Sequence, residues 1–236
     1  FAKQLVMTST MEGDDIWKDQ GVAWFVPKFN SPYARMSAYI TTLRSVVDEL
    51  VRERVQSMAV ESTRWCDYSN NSKFEGIAFC LPHWINHSIF DSCMKRFLAD
   101  VKEANINKDK IDKLYDYEDI AFCLYQNTEA IEAKRCYHYI RASILDEILY
   151  NEAKDELKLP AQDAREYLFL GVKSEMYYTG YNEDWNNIIE KRLYDKYGKA
   201  HENMHVIMQK CKDHLDSIRV SQKAAQDDGT SKSASK

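Results

Sequence analysis

Arg52, Arg54 and Arg64 stand within thirteen residues, with Ser62 between them, in a chain of 236 residues and net charge −5. A guanidinium presents paired donors that match phosphate oxygens, and it keeps its charge when partly buried. Such a group suits the holding of an anionic ligand and the support of negative charge that develops during a reaction. On a continuous helix Arg52 and Arg54 would point about 200° apart. A helix must therefore end here if both are to address one ligand. The plain alternative is three solvated surface arginines.

Other chemistry-bearing residues argue for less. His83 and His87, and His201 and His205, are i,i+4 pairs that could ligate a metal from a helix face. Neither has the HExxH pattern and no carboxylate partner is placed by the sequence, so no metal site is expected. Cys66, Cys80, Cys93, Cys123, Cys136 and Cys211 are widely spread without CxxC, which argues against disulfides and a zinc knuckle. Cys66 lies beside the arginine cluster but reads as a small buried hydrophobe. The acidic balance, with no long basic stripe, excludes a general nucleic-acid binder, and the fifteen tyrosines and five tryptophans read as core and contact residues. No apolar run approaches the roughly 20 residues of a membrane span, and no signal-peptide core is present. These features predict a soluble protein of a reducing, cytoplasmic compartment. Because the chain starts at Phe1, an upstream piece is expected.

The elements that must position the arginines follow from periodicity. Val22–Pro27 reads as a strand. Three- and four-residue spacing from Met36 to Val55 predicts a helix over about Tyr33–Arg54, whose first half also accommodates a strand. After a loop at Asp67–Lys73, Gly76–Leu81 reads as a strand and Trp84–Val101 as an amphipathic helix. Residues 105–116 are charged and loop-like. A long helix carries Ile131, Tyr139, Ile140, Ile144, Leu145, Ile148 and Leu149 on one face. Pro160 closes that block, Ala161–Leu168 is a short helix, and Phe169–Thr179 a strand with Gly180 as its turn residue. Helices over Asn182–Tyr197 and about Ala200–Ile218 complete the fold. The polar segment 221–236 predicts a disordered tail. A single domain over 1–220 results, with about 101–157 as a helical insertion.

Arg52-Glu53-Arg54, seven residues, then Ser62-Thr63-Arg64-Trp65 resembles the RHRx7S signature of the flavin-dependent thymidylate synthases, followed there by a basic residue and an aromatic. Glu49-Leu50-Val51 is similar to the family's QLV, and Ser31-Pro32-Tyr33 to its SPF or SPY. Gln162-Asp163-Ala164-Arg165 resembles its QDAR segment, and Lys173–Gly180 its KTEIVMTG strand. Trp185–Arg192 resembles its closing helix. The resemblance covers about Ser31–Leu81 and Leu159–Ile218.

It implies an α+β fold, a small, mostly antiparallel sheet flanked by helices. It also implies an enzyme transferring a one-carbon unit from methylenetetrahydrofolate to C5 of dUMP, with FAD and NADPH, as a homotetramer in a microbial cell or a virus- or phage-encoded setting. Glu49, Arg52, Ser62, Thr63, Arg64, Arg165 and Arg192 would bind dUMP. Arg192 and Ser62 would take part in catalysis, Arg192 by stabilising charge at N3 and O4 of the ring. Ser31, Arg52, Glu53, Arg54, Asn182 and Asn187 would meet FAD. No cysteine attacks the ring in this family.

Four positions depart from the pattern. Glu53 replaces the central histidine, so repulsion with flavin phosphates is expected unless nearby arginines neutralise it. Val60 replaces a Gln or Glu, Tyr181-Asn182-Glu183 replaces Asn-x-Arg, and Glu49 stands for Gln. The severe changes fall on the flavin side. A pyrimidine-nucleotide-modifying enzyme with altered or no flavin use, and a non-catalytic homologue kept for assembly, are therefore the alternative readings.

Overall fold

The structure is a computed structural model, and it describes residues 17–18, 21–25, 35–68, 77–93, 95 and 129–233. The described chain divides into two compact units. One is built within Asp19–Val60 and Ser174–Lys236, the other within Met11–Lys18 and Glu61–Lys173.

The first unit holds a four-stranded sheet. Its strands are β2 (Gly21–Phe25), β3 (Met36–Leu43), β4 (Ser57–Val60) and β6 (Lys173–Gly180), in the order β2-β3-β6-β4. The β2/β3 and β4/β6 pairs are antiparallel, with Val22 opposite Ile40 and Ala59 opposite Tyr177. Helices α1 (Arg44–Leu50), α5 (Asn182–Arg192) and α6 (Glu202–Ser233) flank it. β6 alternates as a half-covered strand must. Ser174, Met176, Tyr178 and Gly180 are buried, and Lys173, Glu175, Tyr177 and Thr179 less so. The α5 face Trp185, Ile188 and Ile189 is buried, as are Met204, Ile207, Met208, Cys211 and Leu215 of α6, at three- and four-residue spacing.

In the second unit β1 (Trp17–Lys18) and β5 (Phe79–Cys80) form a short parallel pair. The helices are α2 (residues 87–93), α3 (Glu129–Asp155) and α4 (Ala161–Ala164), which runs into a 3-10 turn at Arg165–Tyr167. Two apolar clusters hold it. Phe90, Cys93, Ala133, Cys136, Tyr137 and Ile140 form one; Tyr68, Phe79, Tyr150, Ala153, Ala164 and Val172 form the other.

The mixed fold with a small antiparallel sheet is the one expected, and several boundaries move. Within the helix predicted over about Tyr33–Arg54, Met36–Leu43 is the strand that the first half also accommodated, and only Arg44–Leu50 is helical. Tyr39, Ile40, Thr41 and Thr42 carry strong strand preference, and buried sheet positions override the helical spacing. β4 had no expected counterpart. α5 stops at Arg192, not Tyr197, because Asp195 (φ 54°) and Gly198 (φ 128°) turn the chain. α6 continues to Ser233, past Val220 where composition ends the ordered chain; Lys223, Ala224, Ala225 and Gln226 are good helix formers. The expected loop at 105–116 and the helix beyond residue 95 lie outside the described residues. Among the described residues no helix is long and apolar enough to cross a membrane.

Candidate functional site

The motif residues fall into two clusters, one in each unit. In the second unit Glu61–Cys66 forms a turn in which the Ser62 carbonyl accepts the N–H groups of Trp65 (3.1 Å) and Cys66 (2.9 Å). This turn presents Arg64 and Trp65 outward; Trp65 is 80% exposed and lies 5.7 Å from the Arg64 guanidinium. Arg64 Nε donates to Gln162 Oε1 at 3.3 Å across 98 residues of sequence. Gln162 is in α4, which starts after Pro160, a residue whose fixed φ suits the entry to a helix. Arg165 follows within a turn, half-exposed, 3.5 Å from the exposed Glu166 carboxylate. The Ser62-Thr63-Arg64 and Gln162–Arg165 segments are thus brought together.

Beneath them the mostly shielded Glu61 carboxylate lies 3.4 Å from Lys173 Nζ. Burial and the Glu61 charge push the Cys66 thiol up from its ordinary range. Cys66 stays a thiol and not a nucleophilic thiolate at neutral pH.

In the first unit the chain leaves α1 at Leu50, and the Glu53 N–H donates to the Leu50 carbonyl at 3.0 Å. Arg52 and Arg54 are exposed and pair with no acid among the described residues; Glu49 is half-buried. Glu53 turns the other way. Its Oε1 accepts from Arg192 Nε (3.0 Å) and lies 2.9 Å from Arg192 Nη2, and its Oε2 accepts from Lys191 Nζ (3.2 Å). The reason lies in α5. Arg192 stands three and seven residues beyond Ile189 and Trp185, on the buried side of the helix, so its charge needs an internal partner.

Next to this trio, Tyr178 donates to Gln56 Oε1 (3.0 Å), and Gln56 Nε2 donates to the Asp184 carbonyl (3.2 Å). Burial, reinforced by the Glu53 charge and opposed by Arg192, raises the Tyr178 hydroxyl above its ordinary range. Trp185 packs edge-on against Tyr178 at 5.3 Å and donates Nε1–H to the Met36 carbonyl at 3.1 Å. Gly180, expected as a turn residue, is the buried last residue of β6. A Cβ there would come within 3.1 Å of Asp184 Cβ and Gln56 Cγ, so glycine serves close packing.

Asn182 Oδ1 is held by Arg219 Nη2 (2.7 Å), and Asn187 is exposed. Ser31 lies outside the described residues, and Val60 is half-buried. His205 is held by Asp195 (2.9 Å) and Glu202 (3.2 Å). Sequence reasoning did not single out Gln56, Tyr178, Lys191 or Arg219. Only Lys191 carried a signal, its place beside Arg192 in the last turn of a helix.

Residues 32–218 match the model of the family described as thymidylate synthase complementing protein. The chain belongs to that family. The resemblance to the family is thereby borne out. No curated protein matches the chain. Two solved structures are similar. One is Thymidylate Synthase X (ThyX) from Helicobacter pylori with FAD and dUMP, at 15% identity and TM-score 0.43, over 76% of this chain and 66% of that one. The other is the UMP/dUMP methylase PolB from Streptomyces cacaoi bound with 5-Br UMP, at 16% identity and TM-score 0.50, over 78% of this chain and 68% of that one. At 16% identity the likeness to PolB is one of fold alone. The match spans just under two thirds of the ThyX chain.

Proposed function

We propose that this family member is a pyrimidine-nucleotide methyltransferase that adds a one-carbon unit to C5 of dUMP or a close relative. Ser62, Thr63, Arg64 and Arg165 would hold the nucleotide phosphate, and Arg192 would support the charge that develops on the ring. The observation that carries the reading is the Arg64–Gln162 hydrogen bond at 3.3 Å. It joins two distant motifs into one basic, exposed surface of the kind a dianion needs. Methylation at C5 requires electron density to move toward that carbon, leaving negative charge at N3 and O4. A donor fixed before reaction stabilises that charge without reorganisation, and losing one such donor typically lowers the rate by ~10²–10³.

The residues present fit a flavin's phosphates in one respect: Arg52 and Arg54 are exposed and without an acidic partner among the described residues, while Glu53 is neutralised by Lys191 and Arg192. Bound FAD would supply transfer of the methylene and hydride, with methylenetetrahydrofolate and NADPH as donors. A second reading, nucleotide modification with altered flavin use, is favoured by two features. Arg219 occupies Asn182, and Val60 offers no polar contact.

The deciding experiment measures flavin content and tritium release from 5-tritiated dUMP with NADPH and folate. A yellow protein that releases tritium supports the first reading. A colourless protein whose melting temperature dUMP still raises supports the second. No stabilisation by dUMP or UMP removes both and leaves an assembly role, read from a persistent homotetramer. Arg192→Ala should abolish turnover, and unchanged turnover sinks the role given to Arg192.

A further inference from the structure

Glu53 places both carboxylate oxygens between two cations. Oε1 faces the Nε–Nη2 edge of Arg192 at 3.0 and 2.9 Å, and Oε2 meets Lys191 Nζ at 3.2 Å. That side-on edge is one of the two at which a guanidinium makes a two-point contact with an oxyanion. The glutamate side chain is 12% exposed, against 26% for Arg192 and 32% for Lys191, so the acid is the most enclosed member of the trio. Its backbone is tied to Leu50, the buried end of α1. Arg192 keeps its Nη1 side, which has no partner among the described residues. The result is a cation pair whose side-on guanidinium edge and ammonium are already met by the protein's own carboxylate, which also cancels one of the two positive charges.

We propose that Glu53 is a specificity-determining residue, a tethered carboxylate that closes the Lys191–Arg192 pair to phosphate-type anions and leaves one guanidinium edge for an uncharged carbonyl. A dianion arriving at that edge of Arg192 must displace an intramolecular carboxylate that Lys191 also holds. A carbonyl oxygen needs only the unoccupied donor. For the identity of that carbonyl, a pyrimidine ring oxygen, the inference rests on the reading of Arg192 above. The exclusion of anions does not.

The test uses the full chain and inorganic phosphate. Phosphate should raise the melting temperature of Glu53→Gln more than that of wild type, and the excess should vanish in the Glu53→Gln/Arg192→Gln double variant. Comparing the excess removes the contribution of Arg52, Arg54, Arg64 and Arg165. Equal phosphate shifts in wild type and Glu53→Gln overturn the proposal. A second measurement needs no variant: phenylglyoxal labelling of wild type, mapped by mass spectrometry. Arg192 should label slowly, at a rate indifferent to phosphate, whereas phosphate protection of Arg192 overturns the proposal. Failure of dUMP to stabilise wild type bears on the functional reading and leaves the phosphate comparison decisive here.

Discussion

Arg192 and Arg64 come from two separate segments of the family resemblance, and their surroundings differ. Arg192 is three-quarters buried and clasped by Glu53, whereas Arg64 is exposed, bonded to a neutral glutamine, and rests on an exposed tryptophan. Position on the backbone produces the difference. Arg192 occupies the buried side of α5 behind Trp185 and Ile189, where an unpaired charge would be costly. Arg64 sits on a turn where water compensates it. An arginine of the first kind is committed to an internal partner and can offer one edge. One of the second kind keeps its fork for a dianion.

The largest expected effect comes from removing the frame of the enclosed cluster. Trp185 is fully buried, stacks edge-on with Tyr178 and bonds the Met36 carbonyl. Trp185→Ala should lower unfolding stability by about 3–5 kcal/mol in urea titration. A loss near zero would show that α5 does not depend on this anchor. The contrast between the arginines is tested next. Arg192→Gln leaves Glu53 with Lys191 alone in an enclosed place and should cost about 2 kcal/mol. Arg64→Gln should stay within about 0.5 kcal/mol of wild type while weakening phosphate or dUMP binding. Equal stability losses would break the comparison.

What the sequence made legible follows the same division. The long helix α3 was readable, but its buried face only in part: of the residues expected there Tyr139 and Ile140 are buried, Ile131 is 59% exposed, and Ala133, Cys136 and Tyr137 complete the face instead. β4 was not, since Ser57–Val60 is four residues with only half-buried Met58 and Val60 to mark it. The order of the candidate motif segments was legible from their spacing. The orientation of Glu53 was not, because its partners arrive 138 and 139 residues later on another helix. Local sequence around Glu53 suggests Arg52 and Arg54 as its counter-ions. Both instead stay exposed, and the nonlocal pair wins because burial strengthens it.

Charge also tunes the frame of the open cluster. Asp146 on α3 accepts the Phe169 N–H just beyond the turn that carries Arg165, and burial pushes its carboxyl up from 3.8 to about 6. A carboxyl raised by folding contributes stability below its unfolded value, lost as pH rises through the folded one. Asp146→Asn keeps an acceptor oxygen without the charge. Because Asp146 is only half-buried, the gain is discounted for solvent to on the order of 1 kcal/mol at pH 7. It should shrink as pH falls and vanish only well below 3.8 in urea titrations. A gain independent of pH would mean that the charge is not the cause.

The smallest effect expected lies in the first unit, where His205 offers a counterpart to the Glu53 trio nearer solvent. Its Nε2 meets Asp195 at 2.9 Å and its Nδ1 meets Glu202 at 3.2 Å, while Lys199 competes for Glu202 at 2.9 Å. The Asp195 hydrogen bond, reinforced by Glu202, raises the imidazole above 6.5. The sign is that of a base gaining partners on folding. The stabilisation is fully present below pH 6.5 and is lost as pH rises through the folded value. The melting temperature of wild type should therefore decline above pH 6.5 by about a degree or two, the scale set by screened charges. His205→Gln should lack that part of the slope. If the variant declines as steeply as wild type, the solvent-facing cluster contributes nothing, and enclosure of the kind Glu53 enjoys is what makes a charge cluster count in this unit.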